Sequence, residues 1–410
     1  MFLRIKYSIL VLSGLFLFSC SSPVTPDNSE NTVSPKNNSL LEVLNFDSLK
    51  PIQLKTILSG QIEGSKKELL YKSEQKKNSS REVNNSLPDI ASRNSSLTSN
   101  TESPSFRNKY EPLNEQQFKK SKWGLRIIFD NDIWNNTDYY YTNGLAIELI
   151  TPLANNSPVN KILLGVKSPD IEFVGFSIQQ NMYTPINPDV TEILSNDRPF
   201  SAFLTIGHFR ETYNFKKKLR IKSTLDIGVL GPASLGGTIQ NSIHTEEPVG
   251  WQNQIQNSFV INYSAEIKKS ILQTQNFEFN INGNVSVGSL FNKTGGGFSL
   301  RVGRFIPVYN GPIRLIGNPG KNNPLQFWFF AKGNTDFVLY DATLQGGLFS
   351  NDNPYTIPNN KINRFIFQAS AGFAIYAGSF GIELENFYLS PEFEGGRSFG
   401  WGRIKLVAVF

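Results

Sequence analysis

From Trp123 onward apolar and polar side chains alternate with a period of two, and nothing else in the sequence restricts the fold as strongly. Between Phe277 and Gly288, one face of an extended chain carries Phe277, Phe279, Ile281, Val285 and Val287, while the other carries Glu278, Asn280, Asn282, Asn284 and Ser286. Trp123, Leu125, Ile127 and Phe129 alternate with Arg126 and Asp130 in the same way. Related segments lie at 142–151, 171–180, 200–210, 218–230, 256–268, 295–304, 325–333, 336–345, 364–376, 379–388 and 398–410, which makes thirteen candidate strands. One side of each suits lipid and the other a polar lumen, so the spacing predicts an all-β fold, a transmembrane antiparallel β-barrel. Bacterial single-chain barrels have even strand numbers, so at least one assignment is wrong and the choice is twelve or fourteen. A soluble β-sandwich also alternates. The repeated strands of about ten residues, and a chain ending on Phe410 after Ile404, Leu406 and Ala408, favour the barrel.

The remainder of the chain fits an exported protein. Arg4 and Lys6 precede an apolar stretch from Ser8 to Phe18 that ends at Cys20, so residues 1–20 read as a secretory signal. Cys20 is the only cysteine and stands where lipoprotein signals are cleaved and lipidated; ordinary cleavage is the alternative. With one cysteine there is no internal disulfide, and a closed barrel would supply the missing constraint. Residues 21–119 are dominated by Ser, Asn, Lys, Glu and Pro and predict a disordered lead, with short amphipathic helices conceivable between Leu40 and Leu70. The barrel domain is then 120–410. No later stretch reaches the ~18 apolar residues of a spanning helix. The formal net charge of +6 reflects many lysines in the lead, where they are simply solvated, and no nucleic-acid partner is expected.

Few residues can carry chemistry. Only two histidines are present. His208 lies within a predicted strand, where a histidine is more often structural. His244 follows Gly231-Pro232-Ala233-Ser234-Leu235-Gly236-Gly237 and Gln240-Asn241 and precedes Glu246, Glu247 and Gly250-Trp251, a long polar connection of the kind that holds functional groups. No Gly-x-Ser-x-Gly elbow occurs, and one Cys with two His makes no usual zinc spacing. Asp130, Asn131, Asp132, Asn135, Asn136 and Asp138 crowd the end of the first strand, and such oxygens suit calcium. Asn and Asp also simply favour turns.

Several motifs together resemble one family. Asn131-Asp132, Thr137 to Gly144, Met182-Tyr183-Thr184-Pro185 and Asn196 to Phe200 follow in the order of the blocks of the lipid A 3′-O-deacylase family, the outer-membrane LpxR type. Gly231-Pro232-Ala233 through Gln240-Asn241 to His244 and Gly250-Trp251 resembles its central signature, and Ala342 to Gly347 and Glu392 to Gly395 are similar to later blocks. The resemblance covers about 120–410. It implies a twelve-stranded barrel in the bacterial outer membrane, a calcium requirement, a lipopolysaccharide substrate and hydrolysis of the 3′ acyl ester of lipid A, with a monomer expected. His244 matches the catalytic histidine, Gln240 the glutamine before it, and Asn131 and Asp132 the metal-binding pair at the first strand. The glutamate that follows the histidine in the family falls near Glu246 and Glu247, of which Glu247 is carried over. A neutral His244 would take a proton from water attacking the ester while calcium polarises the carbonyl, with no covalent intermediate required. Two alternatives are a barrel without chemistry, a porin or adhesin, and an outer-membrane phospholipase; the latter needs a serine paired with histidine, and no matching motif is present.

Overall fold

Twelve antiparallel strands close into a barrel in a computed structural model that describes residues 123–132, 139–243, 249–310, 325–350 and 352–410. The signal segment 1–20 and the lead 21–119 lie outside the described residues. The strands are β1 (Gly124–Asn131), β2 (Tyr140–Ile150), β3 (Ile171–Thr184), β4 (Ser201–Asn214), β5 (Leu219–Leu230), β6 (Ser258–Gln273), β7 (Phe277–Gly288), β8 (Phe291–Arg304), β9 (Gln326–Asp341), β10 (Phe365–Ala377), β11 (Phe380–Leu389) and β12 (Phe399–Val409). Each pairs with its sequence neighbours, and β1 closes on β12 from Gly124↔Val409 to Asn131↔Gly402. Both ends of the barrel chain therefore lie at one rim, here the terminal rim.

One predicted pair of strands is a single strand. The segments 325–333 and 336–345 are joined in β9, which runs unbroken to Asp341 before the short helix α2 (Ala342–Gln345). Gly333-Asn334 reads as a turn, yet Asn334 accepts a hydrogen bond of 3.1 Å from Asn282 inside the barrel. Gly333 faces outward under the Phe298 ring, which a Cβ would approach to 3.0 Å. The count of thirteen thus becomes twelve.

Alternation sorts the side chains. Outward positions such as Ile178, Ile206, Val287, Phe329 and Phe380 are large, apolar and exposed, a surface that is stable only against lipid. Among the described residues no helix is long and apolar enough to cross a membrane. Inward positions hold charges in pairs, because an isolated charge away from water is costly. Arg126 donates to Glu148 at 2.8 Å and to Glu211 at 2.6 Å, Arg220 bridges Glu211 and Glu266 at 2.6 and 2.8 Å, and Lys332 holds Glu385 at 2.7 Å.

The connections differ between the two rims. At the terminal rim, 215–218, 274–276 and 378–379 are tight turns, while 305–325 is long and 151–170 is long and folds back along the outer wall. At the far rim, 185–200, 231–257 and 342–364 are long.

Candidate functional site on the outer wall

The β5–β6 connection is held down at its start by backbone geometry. Gly231 has φ of 98°, and its N–H donates to the Ala202 carbonyl at 2.8 Å. A Cβ there would lie 2.6 Å from backbone carbon of Gln256, so only glycine fits. Pro232–Ser234 forms a 3-10 turn closed by Ser234 Oγ donating to the Gly231 carbonyl at 2.6 Å, and helix α1 (Gly236–Ile243) follows.

Helix α1 packs on the outside of the barrel. Met182 keeps the outward register of the exposed Phe176 and Ile178 on β3, and Ala202 keeps that of the exposed Ile206 on β4. Both are nonetheless buried, in a cluster with Phe200 and Trp251. A Cβ on Gly236 would lie 2.4 Å from Ala202 Cβ and 3.3 Å from Met182 Cγ, so the glycine lets the helix sit directly on the wall. Trp251, in the 3-10 turn Val249–Asn253, packs against Phe200 with 5.2 Å between ring centroids. Its indole Nε1 donates to Gln240 Oε1 at 3.0 Å, which fixes the buried Gln240 amide on the helix.

The same stretch of outer wall is polar on the neighbouring strands. Asn131 and Asn143 are register partners on the face that carries Leu125, Ile127 and Phe129 lower down, and Asn143 is in turn opposite Met182. Two strand spacings, about 10 Å, therefore separate Asn131 from the floor under α1. Asn131 Nδ2 donates to the Thr142 carbonyl at 3.3 Å, and the Thr142 and Thr184 hydroxyls are 2.7 Å apart at a bulge in β2. Gln180, also outward, donates from Nε2 to the Ser234 carbonyl at the foot of α1.

The acidic cluster at the end of β1 divides between the two faces. Asp130 points into the lumen, where Arg403 holds it at 2.6 and 2.7 Å and Tyr141 donates to it at 2.9 Å, so it is committed to the barrel wall. Asp132 is buried just beyond the strand, next to Asn131. Among the described residues no group of three or more His, Cys, Asp or Glu is placed to hold a metal. The carboxylate of Asp132 and the amide oxygen of Asn131 are hard donors of the kind calcium accepts, and fit it as part of a ligand set.

A buried pair fastens the far-rim loops beside this site. Arg198 pairs with Glu392, donates to Thr343 Oγ1 at 2.7 Å and lies 4.2 Å from the Tyr183 ring centroid. Burial pushes the Glu392 carboxyl up, against the pull of the Arg198 guanidinium.

His208 is elsewhere. It sits six residues from Ala202 along β4, about 20 Å away at strand rise. Its ring packs at a tilt on Phe176, 5.0 Å between centroids, and Nε2 is 2.8 Å from Asn160 Oδ1. His244, Glu246 and Glu247 lie outside the described residues, as do Asn135, Asn136 and Asp138. Of the expected site residues, Gln240, Asn131 and Asp132 share one rim of the barrel. Gln180 and the Thr142–Thr184 pair were not anticipated. Gln180 breaks an outward series of Val174, Phe176 and Ile178, and that break is a signal present in the sequence.

Known proteins bear on this arrangement in three ways. The family model described as "Outer membrane protein LpxR" matches residues 99–410. Among solved structures, LpxR from Salmonella typhimurium superposes with a TM-score of 0.55 at 22% identity, over 70% of this chain and 100% of that one, which shows a shared fold. The β domain of the Bordetella autotransporter Brka gives a TM-score of 0.37 at 10% identity, covering 70% of this chain and 98% of that chain. No curated protein matches the chain.

Proposed function

Because the chain belongs to the LpxR family of outer-membrane proteins, we propose that it is a calcium-dependent hydrolase that removes the 3′ acyl chain of lipid A within the outer membrane. The observation that carries this reading is the seat of α1: Gln240 is fixed on a helix packed against the lipid-facing wall, and not over the lumen. The two longest connections, 231–257 and 342–364, lie at the far rim, the rim that in barrels with longer outer loops faces outward. The site then lies level with the outer leaflet, where lipopolysaccharide resides. Leu235 and Val249, exposed and apolar, flank the helix and suit acyl chains.

His244 follows α1 directly in sequence and is four residues from Gln240. In this reading neutral His244 takes a proton from water as the oxygen attacks the ester carbonyl. The resulting imidazolium returns that proton to the sugar oxygen as the carbon–oxygen bond breaks, leaving a free fatty acid. Gln240, oriented by Trp251, positions the ester, and Glu247 steadies the charged imidazolium. Asn131 and Asp132 would hold calcium, which when bound supplies polarisation of the carbonyl and charge stabilisation at its oxygen.

The test is mass spectrometry of lipid A from cells with and without the protein. Loss of a single ester-linked chain is expected with the wild type and not with His244→Ala, for which the rate should fall about 10²–10⁴-fold. His208→Ala should retain activity. Unchanged lipid A in cells that carry correctly folded wild-type protein would falsify the assignment.

A further inference from the structure

Along the terminal half of β3 to β6 the outer wall is polar where lipid-facing strands should be apolar. Glu172, His208, Arg210, Thr212, Ser223 and Tyr263 all hold outward registers there. The β2–β3 connection lies over them as a strap and answers them one by one. Val166 N donates to Thr212 Oγ1 at 2.8 Å, Ser223 Oγ donates to the Leu164 carbonyl at 2.8 Å, and Leu164 N donates to the Tyr263 hydroxyl at 2.8 Å. Arg210 holds Glu172 through two bonds of 3.0 and 3.1 Å and also reaches the Leu163 carbonyl at 3.2 Å. Asn160 stiffens the strap by donating to the carbonyls of Ala154 and Asn155 at 2.8 and 3.1 Å.

With Thr212, Ser223, Tyr263 and the Arg210–Glu172 pair engaged, the strap's outer surface has two characters. Leu153, Ile162 and Leu164 are 76%, 59% and 55% exposed, an apolar ridge that suits hydrocarbon. Beside it is an open recess of about 480 Å³ lined by Asn155, Asn156, Ser157 and Lys161 and floored by the Arg210–Glu172 pair. Glu172 is neutralised by Arg210, and Lys161 makes no ion pair among the described residues, so the recess is net positive. Exposed Lys167, Lys216, Lys217 and Lys269 add positive charge at the same rim.

We infer that this recess binds the phosphodiester headgroup of a phospholipid in the periplasmic leaflet, with the phosphate at Lys161 and the Asn155 and Asn156 amides and the acyl chains along Leu153, Ile162 and Leu164. A polar, cationic hollow next to an apolar ridge matches an amphiphile whose two parts meet at the same level. A soluble anion would leave the ridge without a partner. The site faces the opposite leaflet from α1 and does not depend on the hydrolytic reading. Its effect is to anchor the strap, and through it β3 to β6, to the inner leaflet.

The experiment is native mass spectrometry of the full-length protein in detergent, titrated with phosphatidylglycerol or with diacylglycerol of the same chains. One tightly retained phosphatidylglycerol is expected on the wild type, weakened about tenfold in Lys161→Ala/Asn155→Ala/Asn156→Ala, with diacylglycerol weak on both. Lys161→Glu, a change at one exposed side chain, should weaken retention as well while the heat-modifiable gel migration of the barrel stays normal. Retention of phosphatidylglycerol by both variants as tight as that by the wild type, or equal retention of diacylglycerol and phosphatidylglycerol by the wild type, would overturn the site.

Discussion

Trp251 and Gln240 form a buried donor–acceptor pair 3.0 Å apart, and the indole belongs to the same cluster, with Phe200, Met182 and Ala202, that seats α1 on the outer wall. Packing and orientation of the glutamine are thus separable. Trp251→Phe keeps a ring against Phe200 and removes only the donor, leaving the Gln240 oxygen buried without it. A cost of about 1–3 kcal/mol is expected for the lost partner, and deacylation should slow about 10- to 100-fold because a reacting group is held less accurately. A time course of lipid A species by mass spectrometry, alongside gel mobility of folded and heated protein, separates the two effects. Wild-type rate in this variant would remove Gln240 orientation from the mechanism.

Gly236 sets how close the helix comes to the barrel. In Gly236→Ala the new methyl would fall 2.4 Å from Ala202 Cβ, so the helix must lift or tilt. Activity should drop while the barrel folds normally, and adding Ala202→Gly should recover part of it, a coupling that independent sites do not show. If the double variant is no better than the single one, close helix–wall contact is not what the glycine provides.

Arg198 is fully buried at its side chain and ties its own connection to two others through Glu392 and Thr343, with its guanidinium over the Tyr183 ring on β3. Arg198→Met should destabilise the far rim by about 3–5 kcal/mol, since it strands the buried Glu392 carboxylate. Limited proteolysis should then cut within 342–364 and 390–398, and combining it with Glu392→Leu should restore much of the protection. Protection identical to the wild type in Arg198→Met would show that the loops are held by other contacts.

For the metal, Asp132→Ala and chelator should each abolish deacylation, and added calcium should restore activity to the chelated wild type but not to the variant. The neighbouring Asp130→Asn serves as contrast, since it weakens the lumenal bond to Arg403 and should act on stability first. Full activity in excess chelator would take calcium out of the reaction.

Most strands were legible because a sheet with lipid on one side and paired charges on the other writes a period of two into the chain. The predicted 277–288 coincides with β7, and 379–388 misses β11 by one residue at each end. Strand ends at the far rim were shortened, as in 171–180 against Ile171–Thr184, because Asn181 and Thr184 are polar on both faces where the wall leaves the hydrocarbon. The break between 325–333 and 336–345 has a different cause: turn-forming residues such as Gly333 and Asn334 are tolerated within a strand when an aromatic ring covers the glycine and an amide two strands along the wall engages the asparagine. In the site, the four-residue spacing of Gln240 and His244 and the pair Asn131-Asp132 could be read from the residues and the family blocks. That α1 lies outside the barrel could not, because the helix sequence does not encode which side of the wall it covers. Met182 and Ala202 only acquire that meaning once the register of β3 and β4 is known.

The outward seat of α1 also changes what limits turnover. Lifting an acylated lipid into a lumen or into water would cost roughly 0.8 kcal/mol for every methylene withdrawn from the bilayer, and a site on the wall avoids that step. Encounter then becomes lateral diffusion in a plane, so the rate should follow the mole fraction of substrate in the leaflet and fall when inert amphiphile dilutes it at constant bulk concentration. Width of the lumen, or its blockage by the charged side chains that fill it, would have no bearing on catalysis.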